Sequence, residues 1–287
     1  MKNQKKLYLT ISIISLVIVL VALAAIGFLF LSFKQARNDY VQLAARAKES
    51  AASRIEKGFW NKKDSEDPAM PDPVDIPVDF ELLQGENQDI IGWIQVDIIG
   101  WIQVDGTQID YPILYDTTYN RYYLNHNFKG TNTACGSIFV LGENAEDFTD
   151  FNTVVYGHNM LDGSMFAQLH KFRKKDFFDA NGRIIVYTPD RKLTYQVFAA
   201  YRRDNLNIIY NNDFSTEDLQ AEYIASIYAQ TAVANFNPDY KVTSADRILT
   251  LSTCIGNPAY RYVVQGVLIQ DEYGVYAGEQ SADEDRK

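Results

Sequence analysis

The chain opens with an unbroken apolar stretch, Leu7 to Phe33, that holds no charged residue. About 20 such residues in a helix cross a bilayer's hydrocarbon core, so this stretch can span it with some tilt, and it is too long for the core of a cleaved leader. Gln35 to Trp60 changes to an Ala, Lys, Arg and Glu composition with apolar positions at Tyr40, Leu43 and Ala47, which predicts a juxtamembrane helix read as a spacer. Pro68, Pro71, Pro73 and Pro77 among acidic residues then read as an extended linker. A short helix is expected over Asp79 to Gly85. After it the octapeptide DIIGWIQV occurs twice in succession, at Asp89–Val96 and Asp97–Val104. An even insertion keeps every side chain on the same strand face, so either copy could pair. The second copy is expected to enter the sheet, because it runs directly into the Asp105-Gly106 turn and a strand from Thr107 to Leu114.

Further on, the pattern predicts a short helix within Thr117 to Phe128, a strand from Gly136 to Leu141, and an apolar strand that ends at Gly157. Arg183 to Pro189 and Lys192 to Tyr201 alternate like a hairpin pair around Pro189-Asp190. Ser215 is expected to open a helix, with Asp218 as its cap partner and Leu219, Tyr223, Ile227 and Thr231 on one face. Ile248 to Cys254 alternates as a strand, with Leu249, Leu251 and Thr253 on one face and Thr250, Ser252 and Cys254 on the other. Gly256-Asn257-Pro258 is turn chemistry, and the β-rich run from Tyr260 to Ile269 returns as a hairpin partner. The acidic stretch from Asp271 to Lys287 reads as disordered.

At 287 residues and 47% hydrophobic content the chain can bury one sizeable core. A formal net charge of −10 argues against a nucleic-acid partner, because phosphate contacts need clustered Lys and Arg. The two cysteines, Cys135 and Cys254, are expected to be free thiols, with Cys135 a small packed residue. Three histidines without CxxC or HxxxH spacing suggest no metal site, and no cofactor is implied.

The hairpin brings Arg261 back beside Cys254. A guanidinium favours thiolate, and its fork of donors can hold a carbonyl oxygen that turns anionic under attack. The alternative reading of the same pair is a buried structural cysteine with a surface arginine. His158, at the tip of the strand in VVYGHNM, supplies the base and acid that a cysteine nucleophile needs.

Taken together, TLSTC, a short turn, RYVV, and NTVVYGHNMLDGSMF upstream (Asn152 to Phe166) resemble the sortases, and within them class B. The resemblance covers Asp79 to Gln270. It implies a mainly β fold with helices: a closed barrel of about eight strands, an N-terminal helix, a long helix before the cysteine strand, and a separate N-terminal transmembrane helix. The implied organisation is a cytoplasmic terminus (1–6), an anchor (7–33), a helix and linker (34–77), an extracellular catalytic domain (78–272) and an acidic tail (273–287). Charge alone does not orient the anchor, since Lys2, Lys5 and Lys6 precede it while Lys34, Arg37, Arg46 and Lys48 follow.

The family's activity is cysteine transpeptidation, within the cysteine-protease class. Such an enzyme would cut a secreted protein's sorting signal after threonine through a thioester and join the protein to a peptidoglycan amine. By resemblance, Cys254 is the nucleophile, His158 the acid and base, and Arg261 the oxyanion partner together with the Ile255 N–H. Asn120 and Leu124, on one helical face, and Ser252, on the cysteine's strand face, would line the substrate groove; the plain alternative for Asn120 and Leu124 is an ordinary polar residue and a core leucine. The loop Asn205 to Tyr210 would add groove wall. His126 reads as a surface or capping residue, and His170 lies outside the family's cysteine-bearing motifs. Implied partners are proteins bearing a sorting signal, a peptidoglycan amine and membrane lipid. Two readings of another class stand beside this one, a surface-binding module with an inert Cys254 and a hydrolytic cysteine peptidase; within the family, pilin polymerisation is the other job.

Overall fold

A computed structural model describes residues 2–56, 74–85, 97–117 and 121–275. The first copy of the octapeptide (89–96), Asn120, most of the proline-rich linker and residues 276–287 lie outside them.

The N-terminal apolar run and the stretch after it form one helix, α1 (Lys2–Glu56), 55 residues without a break. At 1.5 Å per residue it is roughly 80 Å long. Its first half holds an apolar window that is exposed in the structure and long and apolar enough to cross a membrane. The second half does not behave as the expected spacer. Ala36, Tyr40, Leu43, Ala47 and Ala51, spaced by three or four and so on one helical face, are buried, the first four of them in the main core. Around them Lys48 meets Asp110, Arg54 meets Asp79 (3.2 Å) and Glu81 (2.9 Å), and the Tyr40 hydroxyl donates to the Gly136 carbonyl at 2.8 Å.

The remaining elements are β1 (Val74–Asp75), α2 (Phe80–Gly85), β2 (Asp97–Val104), β3 (Asp110–Asp116), β4 (Ile138–Leu141), β5 (Asn152–Tyr156), α3 (Lys175–Ala180), β6 (Arg183–Tyr187), β7 (Arg191–Asp204), α4 (Glu217–Tyr228), β8 (Asn235–Phe236), β9 (Ile248–Cys254) and β10 (Tyr260–Val275). Short 3-10 turns cover Tyr122–Leu124 and Ala167–Arg173. Hydrogen bonding runs in the order β10-β9-β5-β4-β3-β2-β6-β7 and returns to β10, which closes an eight-stranded barrel; β1 and β8 are short additions to β10 and β7. Within the ring β3–β4 and β5–β9 are parallel, and the other pairs are antiparallel.

The second copy of the octapeptide is β2, paired on both sides with β3 and β6. Its Trp101 and Ile102 are fully buried. The strand expected from Thr107 begins at Asp110 instead, because the Thr107 hydroxyl bonds back to the Val104 carbonyl and holds residues 105–109 in a turn. Similarly, α4 is capped by Thr216, whose side chain accepts from the Leu219 N–H, and not by Ser215; the Ser215 N–H is already held by Asp213. The helix ends at Tyr228, short of Thr231. The stretch expected to be disordered from Asp271 is strand as far as Val275, where β10 ends, and Asp271 and Glu272 pair with Arg191 (3.1 Å) and Lys192 (3.2 Å); the rest of it lies outside the described residues.

Both faces of β9 are covered. Leu249 and Leu251 pack inside the barrel, while Val154, Ile248 and Val263 pack beneath Tyr223, Ile224 and Ile227 of α4. Under that helix lies a polar cluster whose members satisfy one another: Thr250 donates to Asn152, and Gln265 donates to both Thr250 and the Tyr223 hydroxyl. The strand face expected to open on a groove is therefore mostly buried by α4, and only its end is accessible.

Candidate active site

β9 ends at Cys254, which is half-buried. Its direct neighbour across the hairpin is Arg261 of β10. Gly256 makes the return possible: its φ of 83° lies in the left-handed region, which costs glycine nothing and other residues a clash.

On the other side of β9, β5 runs parallel and pairs Tyr156 with Ser252, so the next residues emerge beside the cysteine end. The Gly157 N–H donates to the Ser252 carbonyl at 3.2 Å, and the Thr253 hydroxyl donates to the Gly157 carbonyl at 2.8 Å. Position 157 has no room for a side chain, because a Cβ there would lie 2.5 Å from Ile138 and 2.7 Å from Phe166. The chain thus leaves the sheet tightly packed and delivers His158 to the same end.

The His158 ring is anchored by Nε2, 2.7 Å from the Leu124 carbonyl oxygen. A carbonyl can only accept, so this contact places the proton on Nε2 and leaves the Nδ1 lone pair for proton exchange. Arg261 is held by its own strand, one guanidinium nitrogen donating to the Tyr260 carbonyl at 3.0 Å.

Cys254, His158 and Arg261 line one cleft of about 680 Å³, measured out to its open mouth, and Leu124 and Ser252 line it too. Leu124 is half-buried and Ser252 is buried. Asn120 lies outside the described residues. The loop after β7 forms a wall through Leu206, Asn207 and Ile208, tied to the hairpin turn by the Asn205 N–H on the Ala259 carbonyl. Arg121 and Arg203 also line the cleft; Arg203 is the cross-strand neighbour of Arg261 on β7 and leans on Asp204 at 3.3 Å. Three guanidinium groups, those of Arg121, Arg203 and Arg261, therefore line the cleft, with the Asp204 carboxylate among them. Neither Arg121 nor Arg203 was singled out by the sequence, because nothing local marks them.

His170 was set aside in the sequence and stands directly against the site. Its Nε2 lies 2.9 Å from the Cys254 carbonyl oxygen, and its ring packs 5.3 Å from that of Tyr262. Burial pushes its pKa below the ordinary imidazole value and nearby Arg173 pushes the same way, against the opposing bond to Cys254. The ring is therefore neutral at neutral pH, with its proton on Nε2. His126 stacks on Tyr122 at 3.7 Å and bonds its carbonyl, a local role in its turn. Cys135 is a buried free thiol whose pKa is raised by desolvation. Among the described residues no group of three or more His, Cys, Asp or Glu side chains is placed to hold a metal ion.

The arrangement offers a half-buried thiol beside a fixed guanidinium, an imidazole anchored through one nitrogen, and a cleft open to solvent. A family model described as the Sortase domain matches residues 102–269. Among curated proteins, Sortase B of Listeria monocytogenes is 38% identical over 191 residues, covering 65% of this chain and 72% of that one. Sortase B of Staphylococcus aureus is 33% identical over 175 residues, covering 61% and 67%. Among solved structures, a Staphylococcus aureus sortase B-substrate complex superposes with a TM-score of 0.65 at 28% identity, covering 84% of this chain and 99% of that one. A Bacillus anthracis sortase B structure does so with a TM-score of 0.63 at 30% identity, again over 84% and 99%.

Proposed function

The chain belongs to the sortase family, class B, and from that premise we propose that it is a membrane-anchored transpeptidase with Cys254 as nucleophile, His158 as acid and base, and Arg261 as oxyanion partner. One observation carries the assignment: His158, almost a hundred residues upstream, lines one cleft with Cys254 and Arg261, which stand in direct cross-strand register.

The Cys254 thiolate attacks the carbonyl carbon of the threonine in a sorting signal, the acyl half of the bond to the next residue. As the new C–S bond forms, the carbonyl π electrons move onto oxygen, and that anion accepts from the Arg261 fork and the Ile255 N–H. The C–N bond then breaks, and protonated His158 gives its Nδ1 proton to the leaving amine. A thioester remains. An incoming amine attacks it, loses a proton to His158 and expels the thiolate, so one amide is exchanged for another with no net redox change. Leu124 and Ser252 border the signal peptide, and Asn120 is proposed with them.

The acceptor is a peptidoglycan amine and the donor a secreted protein bearing the signal. The long apolar half of α1 supports anchoring, with the N-terminus cytoplasmic and the barrel outside. The test supplies the soluble chain from Lys34 onward with a library of threonine-containing signal peptides and an amine nucleophile. Ligated product from the parental chain and none from Cys254→Ala is the expected result; free acid as the sole product with amine present would make the enzyme a hydrolase.

A further inference from the structure

We infer that His170 is a positioning residue that fixes the plane of the Cys254–Ile255 peptide unit and so aims the Ile255 N–H at the reacting carbonyl. The inference rests on the reading of Cys254 as nucleophile.

The argument starts from strand geometry. The Gly157 N–H bonds the Ser252 carbonyl, so that carbonyl points toward β5. Strand backbone alternates with period two, so the Cys254 carbonyl points the same way. There β5 has already ended, at Tyr156, and the last ladder pair is Tyr156 with Ser252. The Cys254 carbonyl is the first on β9 that overshoots its neighbour strand. Where that strand would have offered an N–H, the 3-10 turn Ala167–Arg173 offers the His170 ring at 2.9 Å. Leu169 and Phe172, both fully buried, hold the turn in place.

A trans peptide sets its C=O and N–H in opposite directions, and among the described residues no peptide bond is cis. With its oxygen pinned toward the β5 side, the unit must direct the Ile255 N–H toward the β10 side, where Arg261 stands opposite Cys254. Both oxyanion donors thereby fall on one side of the sulfur. Without the imidazole, the last peptide of β9 is free to rotate about its flanking bonds, and that donor loses its aim while the thiol keeps its place in the strand.

Two substitutions and two reactions separate positioning from general support. His170→Phe keeps the ring but removes the donor; His170→Gln keeps an amide nitrogen able to reach the same carbonyl. Acylation by a signal peptide needs the oxyanion donors, whereas alkylation of Cys254 by iodoacetamide displaces iodide at a saturated carbon, develops no oxyanion there and needs only the thiolate. His170→Phe is expected to lower kcat for acylation by about 10-fold or more, a fraction of what complete loss of an oxyanion donor costs, with KM within about 2-fold and the pH profile of alkylation unchanged. His170→Gln should restore most of that kcat. Parental kcat in His170→Phe, alkylation falling in step with acylation, or a glutamine variant no better than phenylalanine would each overturn the inference. Should His170→Phe not fold, His170→Asn, whose shorter amide cannot span to the carbonyl, takes its place. A parental chain that is alkylated at Cys254 yet never acylated would refute the transpeptidase reading itself, an outcome distinct from all of these.

Discussion

The docked half of α1 sets where a soluble form of this protein can begin. A chain starting at Lys34 keeps the face of Ala36, Tyr40, Leu43, Ala47 and Ala51, all buried and the first four in the barrel's main core; one starting at residue 57 loses it. Burying a Leu or Tyr side chain contributes about 2 kcal/mol and each alanine methyl about 0.8, so the face is worth roughly 6 kcal/mol before counting the apolar surface it covers on the barrel. Domains are stable by only about 5–15 kcal/mol. At about 2–4 °C per kcal/mol for a barrel of this size, the shorter chain should melt at least 12 °C below the longer one or fail to fold. Paired thermal melts by circular dichroism with size exclusion would decide it. Two cooperative transitions within about 5 °C of each other would mean that the helix rests on the barrel without stabilising it. The domain start that the sequence suggests, near Val78, falls on the wrong side of this boundary.

Two further outcomes follow from the same structure. Arg261→Lys should fold normally yet lose most transpeptidation, because one point charge cannot reproduce the two-pronged donor; near-parental turnover in a peptide assay would remove the arginine from the oxyanion role. Deleting Asp89–Val96 should leave the melting temperature unchanged or higher, because the second copy already pairs on both sides as β2; a large fall would show that both copies are needed.

The parts of the site legible in the sequence were those written in local chemistry. Alternation and turn residues marked the Cys254–Arg261 hairpin, and an apolar run closing on Gly157 marked His158 at a strand end. The three-and-four spacing along Tyr40, Leu43 and Ala47 was visible as an amphipathic face, but periodicity says which side of a helix is apolar and not what covers it. Barrel closure by β10 against β7 and the crossing of α4 over β9 join segments distant in sequence. The contacts that hold the two histidine rings were illegible for another reason: Leu124 and Cys254 act through backbone carbonyls, which every residue has. Ser215 and Thr216 were both credible caps, and an Asp213 contact to the Ser215 amide decided between them.

The most direct test of the central claim is the mass of the intact chain after brief exposure to a threonine-containing signal peptide without added amine. An adduct equal to the peptide's N-terminal acyl fragment, located on Cys254, released by hydroxylamine and absent from Cys254→Ala, is the expected result. No adduct on the parental chain, or one that persists on Cys254→Ala, would contradict the account.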